Sequence, residues 1–135
     1  MDTGIGYEHP DLAGRVDLSR SVSFCPFDDL LVDYFFPDKH PITDHDYHGT
    51  HVAATVASNA EVAAGVASKT TLIEIKVCCL TVEDDNLVLA ACPEASIVAG
   101  FLHAVEATDV INMSLGGAFE KSRFRRLRQQ GIELC

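Results

Sequence analysis

The stretch HGTHVAATVASN, residues 48–59, decides the fold because it predicts a helix between two strand-like segments. Val52, Val56 and the alanines fall on one side of such a helix, which is typical of a helix packed on a core. The segment RSVSFC (20–25) precedes it, and the segment TTLIEIKV (70–77) follows it. The second segment is rich in β-branched and apolar residues, so both segments are predicted to be strands.

The remainder of the chain continues this alternation. PEASIVAGFLHAVEAT (93–108) predicts a helix with an N-terminal proline, and DVINMSL (109–115) predicts a buried strand that ends in a Gly-Gly turn. PFDDLLVDYFFPDKHPITD (26–44) predicts a long loop because it contains three prolines and many acids. Strands that alternate with helices indicate an α/β domain with a parallel sheet.

Composition limits the classes of function. The chain has 135 residues, 47% of them hydrophobic, and a formal net charge of −10, which argues against a nucleic-acid partner. No window is apolar enough to predict a membrane span. Met1 runs directly into DTGIG, so we expect no signal peptide in this chain, and the export segment of a secreted parent would lie elsewhere.

Charge divides the chain into two parts. Residues 1–118 contain 5 Lys and Arg against 18 Asp and Glu, a net charge of −13, whereas residues 119–135 contain 5 against 2, a net charge of +3. We therefore predict one domain over 1–118, followed by a basic C-terminal segment over 119–135 whose origin stays open between a solvated basic helix and a replaced terminus.

The five cysteines allow two interpretations. Their odd number and the absence of a CxxC pair disfavour a zinc site and leave at least one thiol unpaired. Cys78 and Cys92 could form a disulfide around a short polar loop in an oxidising compartment. Free buried cysteines are the other interpretation. The full set is Cys25, Cys78, Cys79, Cys92 and Cys135.

Three candidate site residues fall where predicted strands end or helices begin. Asp2 lies at the start of the chain, His48 begins the predicted helix, and Ser114 closes the last predicted strand. In open parallel sheets, ligands and catalytic groups gather at such junctions. A carboxylate and a histidine at one edge indicate acyl-transfer chemistry if a nucleophile joins them.

The motifs at these junctions resemble those of the subtilisin-like serine proteases. DTGI (2–5), HPDL (9–12), HGTHVA (48–53) and VINMSLGG (110–117) occur in that family's order and cover most of the chain up to residue 117. The resemblance implies a truncated parallel-sheet α/β fold of the subtilisin type. It also implies a serine endopeptidase with a polypeptide substrate, a secreted parent protein and no required cofactor.

The resemblance also implies roles for individual residues. Asp2 matches the acid of the triad, and His48 matches the general base. Ser114, Leu115 and Gly116 match the segment whose backbone pairs with the substrate peptide, so Ser114 is not the nucleophile. After SLGG, the sequence contains neither the family's oxyanion asparagine nor a GTSMA-like segment with the nucleophilic serine. We therefore expect a fragment that is inactive alone.

Two other functions compete with this interpretation. His45, His48 and His51, with Asp44 and Asp46 nearby, are of the type that binds zinc; their spacing does not place all three on one face of a helix, although pairs at i, i+3 remain open. A non-catalytic remnant that binds peptides along SLGG is the second alternative. Calcium binding has only weak support, because the acids of the predicted loop form no recognised calcium-loop pattern. These acids are Asp28, Asp29, Asp33 and Asp38.

Overall fold

The computed structural model describes residues 1–60, 63–83 and 86–117; within 81–83 and 86–89 it describes the backbone alone. A 3₁₀ turn at Pro10–Leu12 precedes the regular elements. In chain order these are β1 (Val22–Ser23), α1 (Pro26–Phe35), α2 (His48–Ala57), β2 (Ile75–Lys76), β3 (Cys79–Glu83), β4 (Asn86–Ala91) and α3 (Glu94–Ala107). The predicted basic segment 119–135 lies outside the described residues.

Parallel pairing around β2 forms the centre of the fold. β1 pairs with β2 in parallel, with Val22 opposite Ile75 and Ser23 opposite Lys76. Asp2, in the first segment of the chain, makes a further parallel bridge to Lys76 of β2. The predicted α/β class with parallel strands is therefore confirmed, although the paired part of segment 70–77 is only two residues long.

One face of the segment around β2 is apolar. Ile75 and Val77 are buried in a cluster with Ala104 of α3, and Ile73 packs against it. A side-chain carbon at Gly100 of α3 would lie 2.5 Å from Val77, so this glycine lets α3 lie close to the sheet. This packing sets the position of α3, which the sequence predicted with nearly the same bounds.

The opposite face of β2 carries buried charge. Lys76 is fully buried, and its Nζ lies 2.9 Å from Asp28 Oδ2 of α1. The same ammonium group donates to the carbonyl of Thr43 at 2.8 Å, and Asp28 Oδ1 accepts from the backbone N–H of Leu80 at 2.8 Å. Both charges of this ion pair are therefore paired and hydrogen-bonded, as buried charges must be.

The prediction of a loop over the whole of 26–44 is wrong, because α1 occupies its first ten residues. Pro26 stands at the first turn, where a missing N–H costs nothing, and Asp28 and Asp29 lie in that same turn. The proline that suggested a loop is therefore a helix start. For the same reason, three of the four acids considered for calcium, Asp28, Asp29 and Asp33, are helical, and only Asp38 lies in a turn.

An antiparallel hairpin follows β2 where the sequence analysis expected only a short loop. β3 pairs with β4, and the Cys78–Cys92 disulfide closes the base of this hairpin. The structure thus forms the disulfide that the sequence allowed. A second disulfide, Cys25–Cys79, links the start of α1 to β3 and was not predicted.

The prediction of a buried strand at 109–115 is also wrong. Residues 111–117 lie in no helix or strand, and Val110 is 85% exposed. Among the described residues, the Asn112 carbonyl of this segment accepts a hydrogen bond from the Met1 amino group at 3.0 Å. Without a paired neighbour, an apolar segment forms no ladder.

No helix among the described residues is both long enough and apolar enough to cross a membrane.

Candidate functional site

Asp2 is held by the backbone of the segment that follows β2. Its carbonyl accepts from the N–H groups of Val77 and Cys78 at 3.0 and 3.1 Å, and its own N–H donates to the Ile75 carbonyl. Its side chain is 4% exposed, and Oδ1 accepts from the N–H of Thr3 at 2.8 Å. The carboxylate is therefore fixed at the end of the parallel segments.

His48 is the first residue of α2 and meets this carboxylate. Its Nδ1 lies 2.6 Å from Asp2 Oδ1, while 46% of the imidazole side chain stays exposed. The hydrogen bond to Asp2, and then the charge of Asp2, raise the pKa of His48, and the nearby Asp46 and Asp44 add to this. The structure therefore brings together the two residues that the sequence analysis assigned to a triad.

Glycine at position 49 makes this approach possible. The N–H of Gly49 donates to Thr3 Oγ1 at 2.9 Å, and a side-chain carbon at Gly49 would lie 2.1 Å from the carbonyl oxygen of Gly4. No side chain fits there without moving the backbone. The start of α2 and the turn after Asp2 thus contact each other backbone to backbone.

Asp44 supports the site, a role that the sequence analysis did not assign to it. Oδ1 accepts from Thr3 Oγ1 at 2.9 Å, and Oδ2 accepts from both the N–H and the hydroxyl of Thr50. Burial acts to raise the pKa of Asp44, but these hydrogen bonds outweigh it and hold the pKa below its ordinary value. Asp44 therefore ties the turn after Asp2 to the first turn of α2.

Comparison with known proteins shows the family of the chain. The model of the Subtilase family matches residues 1–132. The chain belongs to the subtilase family. Among its relatives are an intracellular serine protease of Paenibacillus polymyxa (34% identical over 120 residues, covering 87% of this chain and 32% of the relative) and the subtilisin-like serine protease Pen c 1 of Penicillium citrinum (31% over 122 residues, 90% and 26%). The minor extracellular protease Vpr of Bacillus subtilis is 33% identical over 119 residues, 87% of this chain and 13% of Vpr.

This subtilase chain thus spans about a third of the first of these relatives, and less of the other two. No solved structure gives a significant match.

The segment predicted to bind substrate lies beside the first residues of the chain, next to Asp2. Leu115 packs against the cluster that contains Met1, the residue before Asp2. Ser114 and Gly116 are exposed, and the Ser114 hydroxyl accepts from the side-chain amide of Asn112 at 3.0 Å. Within the described ranges, residues 113–117 make no backbone hydrogen bond.

The remaining histidines of the motif do not join His48 at Asp2. His45 has its Nε2 buried without a hydrogen-bond partner, and burial, followed by the charge of Lys76, lowers its pKa. His51 is exposed on α2. Among the described residues, no group of three or more His, Cys, Asp or Glu side chains is arranged to hold a metal ion.

The buried side chain of Glu74 should make the stability of the folded chain depend on pH. Its carboxyl is 4% exposed, and burial raises its pKa from 4.5 to about 7, opposed by the amino group of Met1 and assisted by Asp2. Because the folded state holds this proton more tightly than the unfolded state, the stabilisation is complete below about pH 4.5 and is lost as the pH rises towards 7. We expect Glu74→Gln to remove this dependence, which amounts to at most about 3 kcal/mol.

Urea unfolding between pH 4.5 and 8 measures the effect. Glu106→Gln, an exposed position on α3, is the matched control and should keep the parent's profile. If Glu74→Gln and the parent lost stability in parallel over this range, the interpretation of Glu74 would be wrong.

Proposed function

We propose that this chain is the N-terminal part of a subtilisin-like parallel-sheet domain and supplies the acid and base of a serine endopeptidase. The 2.6 Å contact between His48 Nδ1 and Asp2 Oδ1 is the observation that carries the proposal. A carboxylate on this nitrogen fixes the tautomer in which Nε2 is the acceptor. The half-exposed ring then presents Nε2 as a base to a hydroxyl nucleophile.

In this mechanism His48 takes the proton of a serine hydroxyl as that serine attacks the peptide carbonyl. Asp2 stabilises the imidazolium ion that forms, and His48 returns the proton to the leaving amine. Water then hydrolyses the acyl-enzyme by the same base. The serine and an oxyanion donor must come from sequence other than residues 1–117. Loss of the nucleophile costs on the order of 10⁶ in kcat in subtilisin, so the chain alone is expected to be inactive.

The substrate in this proposal is a polypeptide that binds as an added strand along Ser114, Leu115 and Gly116. The support is that residues 113–117 make no backbone hydrogen bond in the part of the chain that the structure describes. An extended peptide could pair with those free groups and reach His48 across the adjacent segment of Asp2.

The proposed compartment of the parent protein is an oxidising one outside the cytosol. The support comes from the Cys25–Cys79 and Cys78–Cys92 disulfides, since such bonds persist in secreted proteins and are rare in the cytosol. The names of the relatives include both an intracellular and an extracellular protease, so they do not decide the matter.

Complementation tests the proposed activity. The purified chain should neither cleave a fluorogenic peptide nor react with a fluorophosphonate. When mixed with the C-terminal two thirds of a related catalytic domain, it should gain peptidase activity that His48→Ala abolishes and His51→Ala preserves. Hydrolysis by the chain alone, or a stable complex whose activity survives His48→Ala, would contradict the assignment.

A further inference from the structure

The two disulfides differ in how exposed their cysteines are. Cys25 and Cys79 are 0% and 7% exposed, so both ends of the Cys25–Cys79 bond are buried. In the Cys78–Cys92 bond, Cys78 is 1% exposed, whereas Cys92 is an exposed residue between β4 and α3. A thiol reductant opens a disulfide by attack on one of its sulfur atoms, and the rate depends on access to that atom. Cys92 therefore offers a point of attack that the Cys25–Cys79 bond does not.

The accessible bond fastens a strand that has little support of its own. Among the described strands, β3 and β4 form a two-stranded sheet that is separate from β1 and β2. A hairpin of two strands is marginally stable at best in water. The Cys78–Cys92 bond closes this hairpin at its base, where it joins the residue before β3 to the residue after β4. The pairing of β4 with β3 should therefore depend on this bond.

β3 has further anchors that do not involve Cys92. Its first residue, Cys79, is bound to Cys25 at the start of α1. The N–H of its second residue, Leu80, donates to Asp28 Oδ1 of α1 at 2.8 Å. Opening of the Cys78–Cys92 bond alone leaves both of these contacts in place. The two strands of the hairpin therefore differ, since β3 stays attached to α1 while β4 loses its covalent fastening.

We propose that Cys78–Cys92 is a redox-sensitive clasp, which a dithiol reductant opens at Cys92 while Cys25–Cys79 stays closed, and that its opening releases β4 from β3. One thiolate of the reductant attacks the Cys92 sulfur, the Cys78–Cys92 bond breaks, and Cys78 leaves as a thiolate that takes up a proton. The second thiolate of the reductant then attacks the mixed disulfide, closes a cyclic disulfide and releases the Cys92 thiol. Two electrons and two protons thus pass from the reductant to the chain.

The clasp lies beside the candidate functional site. The N–H of Cys78 donates to the carbonyl of Asp2 at 3.1 Å, and β3 begins at the next residue. Release of β4 leaves β3 as an unpaired edge, and such an edge can pair with another extended chain. The redox state of Cys78 and Cys92 would thus decide whether β3 is paired or open next to the segment of Asp2. The proposal does not depend on the protease assignment.

Trapping of free thiols measures the selectivity of reduction. The chain with Cys135→Ser and both disulfides formed is treated with dithiothreitol, and its thiols are blocked with N-ethylmaleimide and located by peptide mass spectrometry. We expect Cys78 and Cys92 to be labelled at least about tenfold faster than Cys25 and Cys79. In guanidinium chloride, which exposes all four cysteines, the two bonds should open at similar rates.

Amide hydrogen exchange measures the release of β4. The double variant Cys78→Ala with Cys92→Ala is the permanently open form. Its β4 amides should exchange roughly a hundredfold faster than those of the parent, because a bridge across a separation of 14 residues stabilises the closed form to about that extent. The amides of β2 should exchange as in the parent. Dithiothreitol should reproduce the change in the parent and have no effect on the variant.

Three results would overturn the proposal. The first is that Cys25–Cys79 opens before Cys78–Cys92, or at the same rate, in the folded chain. The second is that β4 exchanges at an unchanged rate once Cys78–Cys92 is open. The third is that β2 loses its protection together with β4, since reduction would then unfold the whole chain. The parent in dithiothreitol decides each point even if the double variant does not fold.

Discussion

Lys76→Met should lower the free energy of unfolding by about 3–5 kcal/mol, as expected when one partner of a buried ion pair is removed. The substitution leaves the Asp28 carboxylate, 1% exposed, without its counter-ion, and leaves the Thr43 carbonyl without its donor. Burial of an unpaired charge costs far more than the lost attraction alone. Chemical denaturation of both chains under the same conditions measures the difference.

Two controls define this result. Lys39→Met removes one partner of the exposed pair between Lys39 and Glu8 and should have little effect, because solvent screens such pairs. The double variant Asp28→Leu with Lys76→Met should recover much of the lost stability, since it removes both charges together. A loss for Lys76→Met no larger than that for Lys39→Met would show that the buried pair does not hold α1 against β2.

Asp2→Asn should return the pKa of His48 towards its ordinary value and remove the preference for one tautomer. The hydrogen bond to Asp2 is the largest cause of the raised pKa, followed by the charge of Asp2, and the amide supplies neither in the same form. In a completed active site, the corresponding substitution in a serine-protease triad lowers kcat by roughly 10⁴. NMR titration of the imidazole signals measures the effect in the chain itself.

The sign of the linked stability change follows from the same shift. Since folding raises the pKa of His48, the Asp2–His48 contact stabilises the fold fully below about pH 6.5, and this contribution is lost as the pH rises through the folded value. Asp2→Asn should therefore destabilise the chain more at pH 5.5 than at pH 8.5. An unchanged titration of His48 in Asp2→Asn would mean that the contact does not form in solution.

Local patterns predicted the helices well. The structure places α2 at His48–Ala57 and α3 at Glu94–Ala107, within two residues of the predicted ends. In both, small or apolar residues repeat on one side, so the information lies within the segment itself. The segment of α1 was misassigned because its proline and its acids suggested a loop. Asp28 is in fact buried against Lys76, and no local pattern shows a contact between residues so far apart in the sequence.

Strand predictions depended on partners that local sequence does not specify. Segment 70–77 is apolar and β-branched along its length, yet only Ile75 and Lys76 pair with β1. Segment 109–115 also contains β-branched and apolar residues, and it forms no strand. A strand exists only where a neighbour supplies hydrogen bonds, and the turn residues of the β3–β4 hairpin gave too weak a signal to find one.

The site could be predicted where a motif carried it. The order of the DTG and HGTH motifs predicted that Asp2 and His48 would meet, and the structure places them in contact; their catalytic roles stay predictions. Asp44 was missed because its function depends on Thr3, 41 residues away in the chain, as well as on nearby Thr50. A short acidic residue before a helix was the available signal, and that signal is common at helix starts.

Cys78 and Cys79 are neighbours in the chain but form disulfides with different partners. Four cysteines can form three different pairs of bridges, and Cys78 and Cys79 are so close in the chain that either could capture Cys25 or Cys92. In the folded chain, the Asp2 carbonyl holds the N–H groups of Val77 and Cys78, directly before Cys79. Oxidative refolding must therefore direct two adjacent thiols to different partners, Cys79 to Cys25 and Cys78 to Cys92.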